Sequence, residues 1–558
     1  MVMAGGALRQ HCCRYTFAVQ AHCCFGCYSS SLNFSVSNSQ FVRKSVRGCN
    51  STRFRAIIPK SSDNELPNST RVAEDEVNGP DPDPGPNPSP VAAMLRRLRE
   101  ELEFDGLGME ILSIALPAAL ALAADPIASL IDSGFIGHLG SVELAGVGVS
   151  GAVFNLVSKL FNVPLLNVTT SFVAEEQASL AKAIDGYGKA SAGEQGKVHL
   201  PSISNALMLA AALGIFEAAA LTVGSDLLMN SMGIPVDSPM YGPAEEFLKL
   251  RAFGAPAIVV ALAAQGSFRG FKDTKTPLYA VGAGNLLNVI LDPILIFFLG
   301  LGVGGAAIAT VISEYLSALI LLWKLNDKVL LVEPSFNVPR VVQYLQSGAL
   351  LTGRTVAVLA TTTLATSVAA RQGTVQMAGH QICFQVWLVL SLLNDALALA
   401  GQALLASEYS QGNYDLARRV TYKVLQIGVA MGVALAVILF CGFETLSGLF
   451  SADSEVLEVA RAGTLFVAGS QPMNAIAFVL DGLYYGVSDF GFAAYSMVIV
   501  GLISSVFLLV TAPLFGLAGV WGGLFLLMTL RVVAGILRLS TRTGPWSFLQ
   551  PEPGKDNT

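Results

Sequence analysis

Charged residues are scarce in this chain: Asp, Glu, Lys and Arg make up only 13% of its 558 residues, against about 25% in soluble domains. Histidine occurs only five times, and no HExxH, Walker or paired-aspartate phosphate motif is found, which argues against an enzyme. Basic patches with interleaved aromatic residues are also missing, so we expect no nucleic-acid partner. The hydrophobic fraction of 53% and the mean hydropathy of +0.57 indicate a polytopic α-helical membrane protein.

The N-terminal part of the chain, 1–62, lacks acidic side chains altogether, since the first acid is Asp63. It is rich in Lys and Arg and includes a serine-rich run from Ser29 to Ser39. This composition is typical of an organelle transit peptide, and the continuous apolar core of a secretory signal is absent. The length and the serine content favour a plastid over a mitochondrion. We therefore predict that residues 1–62 form a plastid transit peptide.

Six of the eight cysteines lie in this leader. Cys24 and Cys27 have CxxC spacing with His22 nearby, which is one pattern of a zinc site. Because the leader is predicted to be removed on import, we expect no functional metal site there. Cys383 and Cys441 lie in apolar stretches and are predicted to be core residues.

Residues 63–104 connect the leader to the apolar part of the chain. The segment Gly79–Pro90, GPDPDPGPNPSP, is too rich in proline for a helix or a central strand and indicates a disordered linker. Residues 91–103, VAAMLRRLREELE, have the pattern of a short amphipathic helix. This helix either lies on the membrane surface before the first span or is a solvated lead-in.

Twelve apolar segments follow, each long enough to cross a bilayer as a helix, which takes about 20 residues. The predicted spans are residues 110–135, 142–178, 202–224, 244–267, 277–299, 303–324, 340–369, 374–408, 420–443, 457–483, 490–513 and 516–540. We divide this part into an N lobe (105–325), an inter-lobe loop (326–338), a C lobe (339–542) and a C-terminal tail (543–558).

Lysine and arginine are distributed unequally between the two sides of the predicted membrane. Loops on one side contain twelve of these residues, and loops on the other side contain Lys249, Arg251, Arg371 and Arg461. The even number of spans places both ends of the membrane part on the richer side, called the basic side below. In a plastid this side would be the stroma.

The two halves of the membrane part repeat each other. Gly140–Gly146 in the first half matches Gly373–Gly379 in the second. At a second constant offset, six residues recur: Pro256, Gly266, Gly270, Asp273, Tyr279 and Gly300 correspond to Pro472, Gly482, Gly486, Asp489, Tyr495 and Gly516. Six helices per half give both copies the same orientation, related by an axis along the membrane normal. The predicted fold is an all-α membrane protein of twelve helices in two pseudo-symmetric six-helix bundles, an architecture of transporters.

The first span contains two acids, Asp125 and Asp132. They are seven residues apart and therefore lie within about 20° of each other around a helix. An acid in a membrane helix is costly unless it faces a bundle interior or a wet cavity. Pro117 and Pro126 add points where the helix can bend. This pattern predicts a helix that lines a pathway; the alternative is that the acids cap the helix end.

Several segments carry a resemblance to a known family. PAALALAADPIASLIDSGFIGHLG, FRGFKDTKTPLYA, NLLNVILDPILIF, GGAAIATVIS, NDALALAGQALLASEY and VLDGLYYGVSDFGFAAYS resemble the multidrug and toxic compound extrusion family. They are most similar to its plant detoxification branch, which has plastid members and nearby citrate exporters. The resemblance covers residues 105–540 and implies two bundles in a V, alternating access, and efflux driven by inward H⁺ or Na⁺ flow.

The resemblance also implies a cation-coupling site in the N lobe. By position, the residues of that site are Asp132, Asn288, Asp292 and Thr310. Asn288 and Asp292 are four residues apart and share a helix face, so the amide can donate to the ionised carboxylate. Asp292 also precedes Pro293, and the alternative is that it is only a kink or cap residue.

The C lobe departs from many plant vacuolar members, which carry an acid in its first helix. Here that helix contains Arg354 instead, so a C-lobe proton site of that kind is in doubt. Arg354 either contacts an anionic substrate or extends to the membrane boundary. The C-lobe acids Asp395 and Asp481, together with Asp125 and Arg354, are predicted to line a substrate cavity.

Together these patterns predict a secondary active transporter in the plastid envelope. The hypothesis is proton-coupled antiport of an organic anion, either a citrate-like carboxylate or a small phenolic acid. The alternatives are a passive facilitator for the same solutes and a Na⁺-coupled xenobiotic exporter. We expect no cofactor besides the coupling ion, no catalytic residues, lipid and a small-molecule substrate as partners, and a monomer.

Overall fold

The computed structural model describes residues 106–187, 200–232, 234–329, 338–448, 450 and 453–550, with side chains up to residue 182 in the first range. The predicted transit peptide, and the linker with its amphipathic helix, lie outside the described residues. So do residues 330–337 of the inter-lobe loop.

Nearly all of the described residues are helical. The helices are α1 Gly106–Gly137, α2 Ser141–Tyr187, α3 Pro201–Val223, α4 Ser225–Ser231, α5 Tyr241–Ala252, α6 Ala255–Gly270, α7 Lys275–Pro293, α8 Gly302–Lys328, α9 Val338–Ala370, α10 Thr374–Gln411, α11 Tyr414–Ser447, α12 Ser454–Ala462, α13 Thr464–Gly469, α14 Gln471–Gly486, α15 Phe490–Phe515 and α16 Leu517–Thr541. Ten of these are long and apolar enough to cross a membrane, and two bent groups, α5–α6 and α12–α14, bring the number up to twelve. The protein is therefore an all-α membrane protein with two six-helix bundles, as predicted.

The two bent spans lie at equivalent places in the repeat. The sequence predicts each of them as one continuous helix, but the chain turns by 49° between α5 and α6 and by 46° before α14. Pro256 and Pro472 occupy the first turn after each bend. Proline has no N–H to donate to the preceding turn, so a helix breaks most easily there.

The backbone also repeats in the loops. Lys272 and Ser488, which correspond to each other in the repeat, both have positive φ angles, of 59° and 57°. The next residue in each copy closes the same turn: Asp273 N–H donates to Phe268 O at 2.9 Å, and Asp489 N–H to Tyr484 O at 2.8 Å. The sequence repeat is therefore also a repeat of conformation.

The lobes share a core only toward the basic side. One cluster of buried apolar residues there contains members of both lobes, including Phe172, Tyr344 and Leu404. Toward the opposite side the clusters belong to single lobes, one around Trp521 and others around Met229 and Ile136. Among the described residues, the lobes thus join at the basic ends of their helices.

One local expectation needs correction. Cys383 is buried, but Cys441 is exposed, because it lies on a face of the apolar α11 that no other described helix covers. In the C-terminal tail, Gly544–Leu549 forms a 3₁₀ turn. Trp546 in this turn is fully buried, and its indole N–H donates to the Asp489 carboxylate at 3.0 Å. A buried indole that keeps its hydrogen bond can hold such a segment in place.

Candidate functional site

Two acids from distant parts of the N lobe face each other. The carboxyl groups of Asp132 on α1 and Asp292 on α7 lie within hydrogen-bonding reach of one another. Asp292 is fully buried, and one oxygen of each carboxyl group is buried without a hydrogen-bond partner. Two carboxylates so close cannot both ionise easily, so the pair is suited to sharing a proton or a cation.

Asn288 and Thr310, the other two predicted residues of this site, offer different hydrogen-bonding groups. The amide of Asn288, buried one turn before Asp292, donates to the Asp292 carboxylate at 3.5 Å. Pro293 follows directly, and the helix continues as a π turn over Ile294–Phe298. Thr310 uses its hydroxyl proton within α8, donating to Ala306 O at 2.9 Å. It therefore has lone pairs to offer at this position but no free donor.

Asp125 lies seven residues before Asp132 in α1 and belongs to a second group of charges. Its carboxylate accepts a hydrogen bond from the Asn285 amide at 3.0 Å. Arg251 on α5 lies within electrostatic range of both Asp125 and Asp132. The guanidinium of Arg251 is itself paired with Glu314 at 3.1 Å. Acids thus outnumber the single arginine in this part of the N lobe.

The C lobe has the opposite balance of charge. Arg354 on α9 and Arg531 on α16 both donate to the same oxygen of Asp481 on α14. The side chains of the three residues are only 15%, 8% and 14% exposed, respectively. Nε of Arg354 is buried without a partner. Two arginines sharing one carboxylate leave a net positive charge and an unused donor.

A small cavity adjoins this triad. Its volume is about 10 Å³, enough for about one water molecule. Asp481, Arg531, Tyr484 and Ser496 supply its polar lining. The Tyr484 hydroxyl is buried without a partner.

Asp395, the other C-lobe acid singled out by the sequence, lies beside the triad without joining it. The side chain is exposed and lies within electrostatic range of Arg354 and of Arg269 from the N lobe. Asp395 therefore lies where the two lobes approach each other, as a residue of a shared cavity would.

Polar contacts between the lobes cluster toward the basic side. Lys272 and Glu408 form an ion pair at 3.0 Å. Arg340 lies 3.6 Å from Glu176, across the same boundary. Further contacts between the lobes are the hydrogen bonds from Gln402 to Asn167 and Ser171, from Ser171 to Tyr485, from Tyr344 and Arg340 to Ser202, and from Thr352 to Leu160. These contacts close the basic side.

Comparison with known proteins identifies the family. The MatE family profile matches residues 197–294 and 354–511. "Protein DETOXIFICATION 44, chloroplastic" of Arabidopsis thaliana is 68% identical over 449 residues, which cover 80% of this chain and 85% of that protein. The chain belongs to the multidrug and toxic compound extrusion (MATE) family. This membership confirms the resemblance drawn from the sequence and makes the MATE protein a transporter rather than an enzyme.

Other relatives of this MATE transporter agree. "Protein DETOXIFICATION 45, chloroplastic" of Arabidopsis thaliana is 52% identical, covering 79% of this chain and 80% of that protein. A solved structure titled "Outward-facing conformation of a multidrug resistance MATE family transporter of the MOP superfamily" has a TM-score of 0.70 at 19% identity. The match covers 79% of this chain and 96% of that one. It supports the MATE fold.

Sequence reasoning missed two charged residues of this transporter and left a third unexplained. Arg531 has no acid near it in the chain, and its partner Asp481 is 50 residues away. Arg251 belongs to the predicted loop cations, but the structure places it half-buried against Glu314. Glu217 lies in an apolar stretch of the sequence that offers no explanation for it, and it is buried in α3. Arg531 and Glu217 share the signal of an ionisable residue inside an apolar helix, whereas Arg251 lies in the last turn of the polar α5 and gives no such signal.

The charged triad yields a stability prediction for the MATE transporter. Asp481→Asn leaves two buried arginines without an anion, whereas Arg354→Gln or Arg531→Gln leaves one complete pair. Breaking a buried pair costs about 3–5 kcal/mol, so we expect Asp481→Asn to lower the melting temperature in detergent more than either arginine variant. Asp415→Asn, at an exposed pair with Arg418, is the control and should change little. Equal melting temperatures for all variants would contradict this account.

Proposed function

We propose that this MATE transporter is a proton-coupled antiporter that exports an organic anion across a plastid membrane by alternating access. The single observation that carries the proposal is the separation of charge between the lobes. The N lobe holds the facing acids Asp132 and Asp292, whereas the C lobe holds two arginines on one aspartate. A transported cation and a transported anion each find a site of opposite charge.

The N-lobe acids have the properties that a proton-coupling site needs. Each carboxyl group has a buried oxygen without a hydrogen-bond donor, and a proton shared between the two groups would form the missing hydrogen bond. Asn288 can donate to Asp292 once that proton has left. Opening the site to water would favour the ionised form, so hydration and proton binding are coupled.

The C-lobe arginines have the properties that an anion site needs. Arginine can bind a carboxylate through parallel N–H donors, and Asp481 accepts one N–H from each of Arg354 and Arg531. A substrate carboxylate could take a share of these donors, together with the unused Nε of Arg354. The ring of Tyr485, 5.8 Å from the Arg354 guanidinium, is buried in the shared core and adds an apolar wall beside these donors.

The repeat supports this division of roles. At the two offsets of the repeat, Asp132 and Asp292 correspond to Ala365 and Leu508 in the C lobe. In the reverse direction, Arg354, Asp481 and Arg531 correspond in the N lobe to Ala121, Gln265 and Tyr315. Each lobe therefore lacks the charges of the other, as expected when one lobe binds the coupling ion and the other the substrate.

Alternating access requires contacts that form and break between the lobes. The ion pairs Lys272–Glu408 and Arg340–Glu176 fit this requirement, because they join the lobes at the basic side and are partly solvated. Such pairs contribute little stability and can exchange with water. Both Arabidopsis relatives reported above are named chloroplastic, which supports a plastid membrane, and we place this protein in the envelope.

The first experiment tests proton coupling. Efflux of citrate and of a salicylate-like acid is measured from proteoliposomes with and without an imposed pH gradient. We expect uphill efflux only with the gradient, and its complete loss in Asp132→Asn and Asp292→Asn, because the altered pair could no longer share a proton. Asp327→Asn, at an exposed acid, is the matched control. Replacing Na⁺ by choline tests the coupling ion.

Three outcomes would contradict proton coupling at the acid pair. Transport that runs only downhill would indicate a facilitator. Full coupling in both variants would move the coupling site away from the N-lobe pair. Dependence on Na⁺ rather than on the pH gradient would identify Na⁺ as the coupling ion.

A second experiment tests the anion site. Arg354→Gln and Arg531→Gln each remove a charged donor worth about 1.5–3 kcal/mol, so the apparent KM for a carboxylate substrate should rise about 10- to 100-fold. An uncharged amide of the same acid should be unaffected by the variants. Arg538→Gln, at the basic end of α16 where Arg538 bonds Asp489, is the control. Unchanged KM in both variants would exclude this site.

A third experiment tests separation of the lobes. Lys272→Cys and Glu408→Cys are introduced together in a chain whose native cysteines are serine, and are joined by a short reducible cross-linker. Because the ion pair lies at the lobe boundary, the cross-link should stop transport, and reduction should restore it. The single-cysteine variants with the same reagent are the controls. Undiminished transport by the cross-linked protein would contradict a moving boundary here.

A further inference from the structure

Glu217 is an acid that the proposed mechanism leaves unexplained. It lies in α3, six residues before Val223, where the helix ends on the side of the membrane opposite the basic side. Six residues correspond to roughly 9 Å along the helix axis. The residue is only 2% exposed. One oxygen of its carboxylate accepts a hydrogen bond from Ser158 on α2, and the other is buried without a partner. An acid in this position is costly unless its surroundings are built for it.

Asn162 faces this acid from the next turn of α2. The side chain is also 2% exposed, and both its amide nitrogen and its oxygen are buried without a hydrogen-bond partner. The amide lies within reach of Glu217. An amide carries both a donor and an acceptor. It can accept from a protonated Glu217 through its oxygen, and it can donate to an ionised Glu217 through its nitrogen.

No cation neutralises Glu217 among the described residues. Glu314 lies within electrostatic range, but its own partner is Arg251 at 3.1 Å. Other charged groups on the helices that contact α3 have their own partners: Asp226 bonds with Tyr241 at 2.7 Å, and Lys249, Arg340 and Arg354 pair with Glu245, Glu176 and Asp481, respectively. Lys159 on α2 is exposed, and Arg269 lies at the basic end of α6. The site therefore offers oxygen ligands and an amide donor, without a fixed counter-charge.

We infer that Glu217, Asn162 and Ser158 form a second proton-binding site of the N lobe. The inference rests on the proton-coupled function proposed above and goes beyond the Asp132–Asp292 pair. In the loaded state the Glu217 carboxyl group holds a proton taken from water and donates it in a hydrogen bond to the Asn162 oxygen. On release the proton returns to water, and the Asn162 nitrogen donates to the carboxylate. The transporter then exchanges more than one proton in each cycle.

Infrared difference spectroscopy of the purified full-length protein tests this site without any transport. A pH titration of the wild type should show protonated-carboxyl bands that disappear as the pH rises, one from the Asp132–Asp292 pair and one from Glu217. Glu217→Gln should remove only the second of these, the Glu217 band, and Asn162→Leu should shift both its frequency and its titration midpoint. Asp327→Asn should leave the band unchanged. Glu217→Gln is nearly isosteric, and Asn162→Leu provides a second perturbation if the first variant folds poorly.

Transport then measures the consequence. The number of protons exchanged per substrate, obtained from the substrate gradient that balances an imposed pH gradient, should fall by one in Glu217→Gln while efflux continues. A Glu217→Gln spectrum that has lost no band relative to the wild type would overturn the inference, even where the Asp132–Asp292 pair proves essential. Loss of the band on replacing choline by Na⁺ at constant pH would also overturn it, in favour of a sodium site. Full coupling in both pair variants, with the Glu217 band intact, would instead count against the proposed function alone.

Discussion

A charged group inside a membrane needs a partner, a proton or water, and the interior of this protein is arranged by that constraint. An ionised side chain without any of these costs several kcal/mol in hydrocarbon. The C lobe meets the requirement by bringing three charged residues from three helices together, with Asp481 between Arg354 and Arg531. The N lobe meets it differently. Asp132 faces Asp292, whereas Asp125 and Glu217 face amides. In the proposed mechanism the pair and Glu217 complete their contacts by binding a proton.

This difference has consequences for the two lobes. A triad of opposite charges can hold a site in place until a stronger ligand competes. Pairs of acids change their charge with hydration and proton supply. The two lobes have the same backbone conformation, including matching positive φ angles at Lys272 and Ser488, although their buried charges differ. Divergence occurred in the buried polar side chains, while bends and turns were retained.

The contacts at the boundary between the lobes also avoid unpaired buried charges. Its ion pairs are partly solvated at the basic side. Its buried contacts there are apolar packing, such as the edge-to-face contact of Phe172 with Tyr344 at 4.7 Å, and hydrogen bonds between uncharged groups, such as that from Gln402 to Ser171. When either kind of contact separates, no unpaired charge is left in an apolar environment. A boundary built in this way can open without the cost that separating Arg354 from Asp481 would carry.

Much of this could be predicted from the sequence alone. The span count, the repeat and the family depend on hydropathy, spacing and motifs, which are local properties of the chain. The link between Asn288 and Asp292 was also predictable, because four residues of helix place them on one face.

The partners of the other charges were decided only by the tertiary structure. Asp292 faces Asp132 from a helix far along the chain, Arg531 finds Asp481, and Ser158 finds Glu217 because of how each helix is rotated in its bundle. That rotation depends on the packing of all neighbouring side chains at once. For the same reason Cys441 proved exposed, since apolar residues that face lipid and those that face protein look alike in a sequence.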